Sequence, residues 1–184
     1  MLYQCFFISP KRIYLKEAGF AVNAVGKIDY IFKQQGITDS VHTANNMEGV
    51  DRTIEYLQQA EPGLIFTNLV DFDSKYGHRR DPKGYKEALE ELDSEIPNLL
   101  NSLKKDDVLI VTADHGNDPT FKGTDHTREY IPILVYGNCI KEGINIGTRN
   151  TFADIGTTIA DLLGMNTTSI GESFKKAIIN NCNK

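Results

Sequence analysis

Apolar positions along the chain fall into short continuous runs separated by longer 3.6-residue rhythms, the pattern of buried strands alternating with amphipathic helices. Ile13, Leu15 and Ala18 ahead of Gly19 predict a helix that stops at the glycine, and Phe20 to Val25 predicts a buried strand. A second helix is expected from Asn46 to Ala60, where Met47, Val50, Ile54 and Leu57 share a face and Asn45 or Asn46 caps the start. Leu64 to Val70 predicts a central strand, bounded by Pro62-Gly63 in front and the polar run Asp71 to Arg80 behind. Asp81-Pro82 opens a helix carrying Tyr85, Leu89, Leu92, Ile96, Leu99 and Leu103, in which Pro97 predicts a kink or a break. Val108 to Thr112 and Ile131 to Tyr136 predict two further strands. Thr151 caps a helix through Ile155, Ile159, Leu162 and Leu163, closed by Gly164, and a last helix fits Ser173 to Ile179.

The expected fold class is therefore α/β, a mostly parallel sheet with helices on both faces, binding ligands beyond the C-terminal strand ends. The chain shows no internal repeat, low-complexity segment or Gly/Ser linker, so residues 1–184 are read as one domain.

Composition narrows the classes. With 40% hydrophobic residues and a formal charge of -5, the chain can bury a core and is not expected to be disordered. Its apolar runs fall far short of the roughly 20 residues of a membrane span. The apolar start around Cys5 to Ile8 has no basic residue before it and no small-residue cleavage site after it, so a cytoplasmic protein is expected. Lysine and arginine are scattered with no basic stripe, which argues against nucleic acid as a partner. Cys5, Cys139 and Cys182 lack the spacing of a zinc site and are expected to be reduced structural thiols.

Three polar clusters hold three of the four histidines: Asp71 to Asp81 with Asp73 and His78, Thr112 to Asp118 with Asp114 and His115, and Gly123 to Glu129 with His126. The first two follow predicted buried strands directly, so separate segments deliver carboxylate and imidazole to one rim. Oxygen and nitrogen donors together suit Mn²⁺, Zn²⁺ or iron better than Ca²⁺ or a thiolate zinc site. Five or six ligands exceed the needs of one ion and fit two, placed to clamp the attacking and leaving oxygens of a phosphoryl group. A single Asp-His pair in a loop is more often a solvated turn; it is the repetition at strand ends that points to ligation. His42 lacks that setting and is expected on an edge strand or the surface. Lys27, Arg79, Arg80 and Arg128 are available as phosphate clamps, with Lys27 and Arg79 preferred, and Gly77 and Gly116 permit tight turns beside a ligand.

At these clusters the sequence resembles the phosphopentomutases, members of the alkaline phosphatase-like metalloenzyme superfamily that interconvert ribose 1-phosphate and ribose 5-phosphate and the deoxy forms. The resemblance rests on Asn68 to Asp73 running into Tyr76 to Pro82, on Thr112 to Pro119, on Gly123 to Tyr130, and on Thr151 to Gly156. It extends from about Lys16 to near the end of the chain and covers only the C-terminal half of the family pattern; Met1 to Tyr14 is an atypical start. It implies an alkaline phosphatase-like core that is incomplete at its N-terminus, with Asp73, His78 and His126 on one Mn²⁺ and Asp114 and His115 on the second. It further implies phosphoryl transfer through a threonine. That threonine, another metal-binding aspartate and a cap domain precede the matched region, so the chain is expected to lack the phosphoryl acceptor. Ser74, Thr112 and Thr127 are the hydroxyls nearest the clusters, and nothing in their position makes one a nucleophile.

Small-molecule sugar phosphates are the expected partners, together with either a missing N-terminal half or a second copy covering exposed sheet edge. The histidines are expected to act as neutral ligands oriented by carboxylates such as Asp71 or Asp125. Two competing readings use the same residues: a metal-dependent phosphatase or phosphodiesterase, which passes the phosphoryl group to water, and a non-catalytic metal-binding remnant.

Overall fold

The computed structural model describes residues 11–59, 61–165 and 170–180. Cys5 and Cys182, and most of the atypical start, lie outside them.

Helix α1 (Lys11–Glu17) ends at Gly19, whose φ of 85° turns the chain into strand β1 (Ala21–Val25). All five residues of β1 are buried, as predicted from its four apolar residues, and the polar Asn23 is buried with them. Gly26, also at φ 85°, leads into a short helix α2 (Ile28–Ile31), and β2 (Asp39–Val41) follows. Helix α3 (Asn46–Gln58) is capped by Asn45, whose Oδ1 accepts the Glu48 N–H at 2.9 Å, while Glu48 Oε2 accepts from Ala44 N–H at 2.7 Å. Strand β3 (Gly63–Thr67) completes a parallel sheet of order β2-β1-β3, with Val25 opposite both Val41 and Thr67.

Helices cover both faces of this sheet. Ala24 and Phe66 pack with Ile28 of α2 and with Ile37, and on the opposite face Thr67 Oγ1 meets Thr53 Oγ1 of α3 at 2.6 Å.

The predicted central strand stops at Thr67 rather than Val70, and the polar run behind it is partly helical: Phe72–Gly77 forms a π-helical turn. The wide i to i+5 bonding shows in His78 N–H to Asp73 C=O at 3.0 Å and Asp81 N–H to Tyr76 C=O at 3.1 Å. Phe72 anchors it, fully buried against Tyr85 in a cluster with Val50, Leu69, Ala88, Leu92 and Ala113. Helix α4 (Pro82–Asn101) starts at Asp81, whose Oδ1 accepts from Gly84 N–H at 2.9 Å. It runs through Pro97 without a break. Pro97 and Asp93 are exposed, so water can satisfy the carbonyl that the missing N–H leaves free.

Strand β4 (Leu109–Thr112) pairs with β5 (Ile133–Tyr136) in antiparallel register, Thr112 opposite Ile133. The expected α/β fold with a parallel sheet and helices on both faces is thus present in β2-β1-β3, while among the described residues β4-β5 form a separate, antiparallel ladder. The reason is the loop 113–132, which turns the chain straight back along β4. Helices α5 (Ala153–Leu162) and α6 (Lys175–Ile178) close a third core against β4 and β5 through Ile140, Ile155, Phe174 and Ile178. Cys139 is disulfide-bonded, which corrects the expectation of reduced thiols for that residue; spacing along a sequence does not reveal which thiols a fold brings together.

Candidate metal centre

The π-helical turn and the loop after β4 both leave the C-terminal ends of their strands and bring five side chains into one cluster. Asp73 stands at its centre. Its Oδ2 lies 3.3 Å from His78 Nε2 and its Oδ1 lies 3.3 Å from His126 Nε2. The two Nε2 atoms are 3.2 Å apart. His115 stacks on His126 with ring centroids 3.5 Å apart and sets its Nε2 3.5 Å from Asp114 Oδ1. Asp73, His115 and His126 each offer a donor atom within 4.8 Å of the others.

The remaining hydrogen bonds decide what the rings present. His78 Nδ1 contacts the Thr124 carbonyl at 2.5 Å, and His115 Nδ1 contacts the Gly116 carbonyl at 3.0 Å. A carbonyl only accepts, so both Nδ1 atoms carry hydrogen and, in the neutral rings, both Nε2 atoms carry a lone pair. Those lone pairs face carboxylate oxygens, and His78 Nε2 also faces His126 Nε2. Acceptors directed at acceptors repel unless a cation or a proton stands between them, so the donor set fits a divalent metal. Burial pushes the Asp114 carboxyl above the usual carboxylate range, Asp73 adds to this as a like charge, and His115 and His126 act in the opposite direction.

Two expectations, the orienting roles of Asp71 and Asp125, are corrected here. Asp71 does not orient a histidine: its Oδ2 accepts from Asn46 N–H and from Lys75 Nζ, at 3.2 and 2.9 Å. Asp125 contributes its backbone carbonyl, which accepts from Arg80 at 2.5 Å. His78 and His115 are oriented instead by backbone carbonyls, which no side-chain pattern can announce. Lys27 is exposed in the turn after β1, and Arg79 is exposed with its Nε donating to Ser74 C=O at 3.3 Å. Among the described residues no hydrogen bond or ion pair joins either to the five clustered side chains. His42 stands just past edge strand β2, paired with Asp29 at 3.0 Å.

Of two further residues at the site, Asn117 was not singled out from the sequence, and Arg80 was read there only as an available phosphate clamp. Asn117, 5% exposed, donates from Nδ2 to Asp73 Oδ1 at 3.2 Å. Arg80, at φ 53°, bonds Asn117 Oδ1 and the carbonyls of Asp118, Asp125 and Gly123. The available signal was the Gly116-Asn117 pair following two candidate ligands in a predicted loop.

A family model described as the metalloenzyme superfamily matches residues 14–167. The phosphopentomutase of Alkaliphilus metalliredigens (strain QYMF) is 63% identical over 164 residues, 89% of this chain and 42% of that protein. That of Clostridioides difficile (strain 630) is 61% identical over 161 residues, 88% of this chain and 41% of that protein. The chain thus spans about two fifths of the length of these curated relatives. Among solved structures, phosphoglycerate mutase of Leishmania mexicana at low cobalt concentration matches with a TM-score of 0.70 at 20% identity, over 92% of this chain and 39% of that one. At that identity the likeness shows the α/β fold alone.

Proposed function

The chain belongs to the metalloenzyme superfamily, and from that premise we propose that it supplies the metal-binding part of a phosphopentomutase, interconverting ribose 1-phosphate and ribose 5-phosphate and their deoxy forms. The observation that carries this reading is the Asp73 carboxylate between His78 Nε2 and His126 Nε2, at 3.3 Å from each. It is supported by the 63% identity to a phosphopentomutase across the segment that contains the cluster.

In this proposal Asp73, His78 and His126 hold one Mn²⁺, and Asp114 and His115 contribute to a second. When bound, such a metal pair neutralises charge on a transferring phosphoryl group and steadies the oxygens on either side of it. The protein's own part is geometric. Thr124 and Gly116 carbonyls fix the rings of His78 and His115 with Nε2 forward, and the stack of His115 on His126 joins the two ligand sets. These histidines therefore serve as neutral ligands and not as proton carriers. Lys27, exposed just past β1, and Arg79, exposed just past the π-helical turn, are proposed to take the substrate phosphate.

The residues assigned here include no phosphoryl acceptor; the family resemblance puts that threonine outside the matched segment. The proposed turnover is accordingly that of the complete site, working on soluble sugar phosphates in the cytoplasm. No helix among the described residues is long and apolar enough to cross a membrane.

The test is to incubate ribose 5-phosphate with protein carrying this sequence, Mn²⁺ and a trace of sugar bisphosphate. Ribose 1-phosphate as product supports the mutase. Inorganic phosphate in its place would assign the centre to a hydrolase, and neither product from folded, Mn²⁺-loaded protein would reduce the proposal to metal binding.

A further inference from the structure

Asp73 touches two histidines of the cluster, His78 and His126, and its setting depends on groups from a different loop. Its Oδ1 accepts the Asn117 amide at 3.2 Å while lying 3.3 Å from His126. The orientation of that amide is not arbitrary, because Arg80 Nη1 donates to Asn117 Oδ1 at 3.4 Å and so turns Nδ2 toward Asp73. Arg80 is in turn held at 2.8 Å by Asp118 C=O, at 2.5 Å by Asp125 C=O, and by Gly123 C=O. These carbonyls outweigh the cost of its left-handed backbone, φ 53°. Gly77 completes the device by absence: a Cβ there would stand 2.0 Å from Asn117 Nδ2.

We propose that Asn117 is a positioning residue for the metal centre, locking the rotation of the Asp73 carboxylate, with Arg80 fixing the amide and Gly77 leaving room for it. The proposal rests on the metal reading above. A neutral amide suits this task. A lysine in its place would bring a positive charge against the cation, whereas the amide directs the carboxylate and leaves its charge intact. Asn117 is 5% exposed, so solvent does not compete for the bond. The arrangement couples the π-helical turn, which carries Asp73 and His78, to the loop that carries His115 and His126.

The experiment titrates MnCl₂ into the metal-free chain by calorimetry, for wild type, Asn117→Leu and Arg80→Gln, with thermal unfolding of each metal-free form alongside. Leucine keeps the volume and removes the donor. The expected result is Mn²⁺ affinity weakened by roughly 10- to 100-fold in Asn117→Leu, the range for loss of an outer partner at a metal site. A smaller loss in the same direction is expected in Arg80→Gln, where the amide is freed to turn. A purely structural role would lower the metal-free unfolding temperature and leave affinity untouched, which would overturn the proposal. If Asn117→Leu does not fold, an affinity in folded Arg80→Gln equal to that of wild type overturns it as well. Absence of Mn²⁺ binding by wild type itself would instead remove the metal reading, and the positioning role with it.

Discussion

At the end of β2, His42 meets Asp29 at 3.0 Å, and the other Asp29 oxygen accepts the Tyr30 N–H at 2.7 Å. Beyond β3 and β4, by contrast, three histidines and two aspartates crowd together with lone pairs turned inward. Both groups are Asp-His arrangements at strand ends. The first is closed, since the carboxylate has a donor on each oxygen and the imidazole projects into solvent. The second is open, since the Nδ1–H groups of His78 and His115 are spent on backbone carbonyls and their Nε2 lone pairs can be satisfied by a cation. The contrast teaches that the surroundings of the pair, more than the pair itself, separate a structural contact from a ligand set.

The sharpest way to break this comparison is to remove Asp73. Asp73→Ala deletes the group shared by His78 and His126, so its expected loss of Mn²⁺ affinity exceeds the roughly 10- to 100-fold cost of losing an outer partner. His42→Ala should leave the affinity at the wild-type value. Calorimetric titration of both variants decides the matter, and equal losses would erase the distinction between open and closed groups.

Gly77→Ala comes next. The new methyl would sit 2.0 Å from Asn117 Nδ2 and 3.1 Å from the Phe72 carbonyl, so Asn117 must move. Overpacking of this kind costs on the order of 1–3 kcal/mol. Chemical denaturation of the metal-free chain should show that loss, and Mn²⁺ titration should show weaker binding. A stable variant with unchanged affinity would mean that Asn117 is free to relocate.

A smaller effect is expected at the closed pair. His42→Ala leaves buried Asp29 with the Tyr30 N–H and whatever water enters beside the exposed ring position. The expected destabilisation is about 1 kcal/mol, the low end for a buried group that loses a partner. Unfolding in urea measures it.

The sequence carried the buried strands well because β1 is enclosed on both faces and its residues say so. The five clustered side chains were legible for a related reason: each stands in a polar cluster, and two of the three clusters leave buried strands. The π-helical turn was not legible, since Asp71 to Arg80 has a single deeply buried large apolar side chain, Phe72, and no helical rhythm. Nor was the split of the sheet, because an apolar run such as β4 suits parallel and antiparallel neighbours alike. Arg79 and Arg80 are the same residue type side by side. Only the backbone, at φ 53°, decides that Arg80 turns inward to the loop while Arg79 remains exposed.

The smallest effect tests whether closed pairs respond to protons as the open cluster is expected to respond to metal. On the edge of the parallel sheet the Tyr56 hydroxyl donates to Asp39 Oδ2 at 2.8 Å. Burial, and next the bond to Asp39, push Tyr56 up to about 12 from its ordinary 10.0. Between those values the folded chain keeps a proton that the unfolded chain has released. Stability from this group is therefore complete below about pH 10 and is lost as pH rises through about 12. Urea unfolding across that window should show wild type losing stability more steeply than Tyr56→Phe, which has no proton to lose there. Mn²⁺ affinity at neutral pH should be the same in both. Parallel alkaline slopes would mean that the hydroxyl is not held by Asp39, and a changed affinity would mean that the edge of the sheet and the histidine cluster are coupled after all.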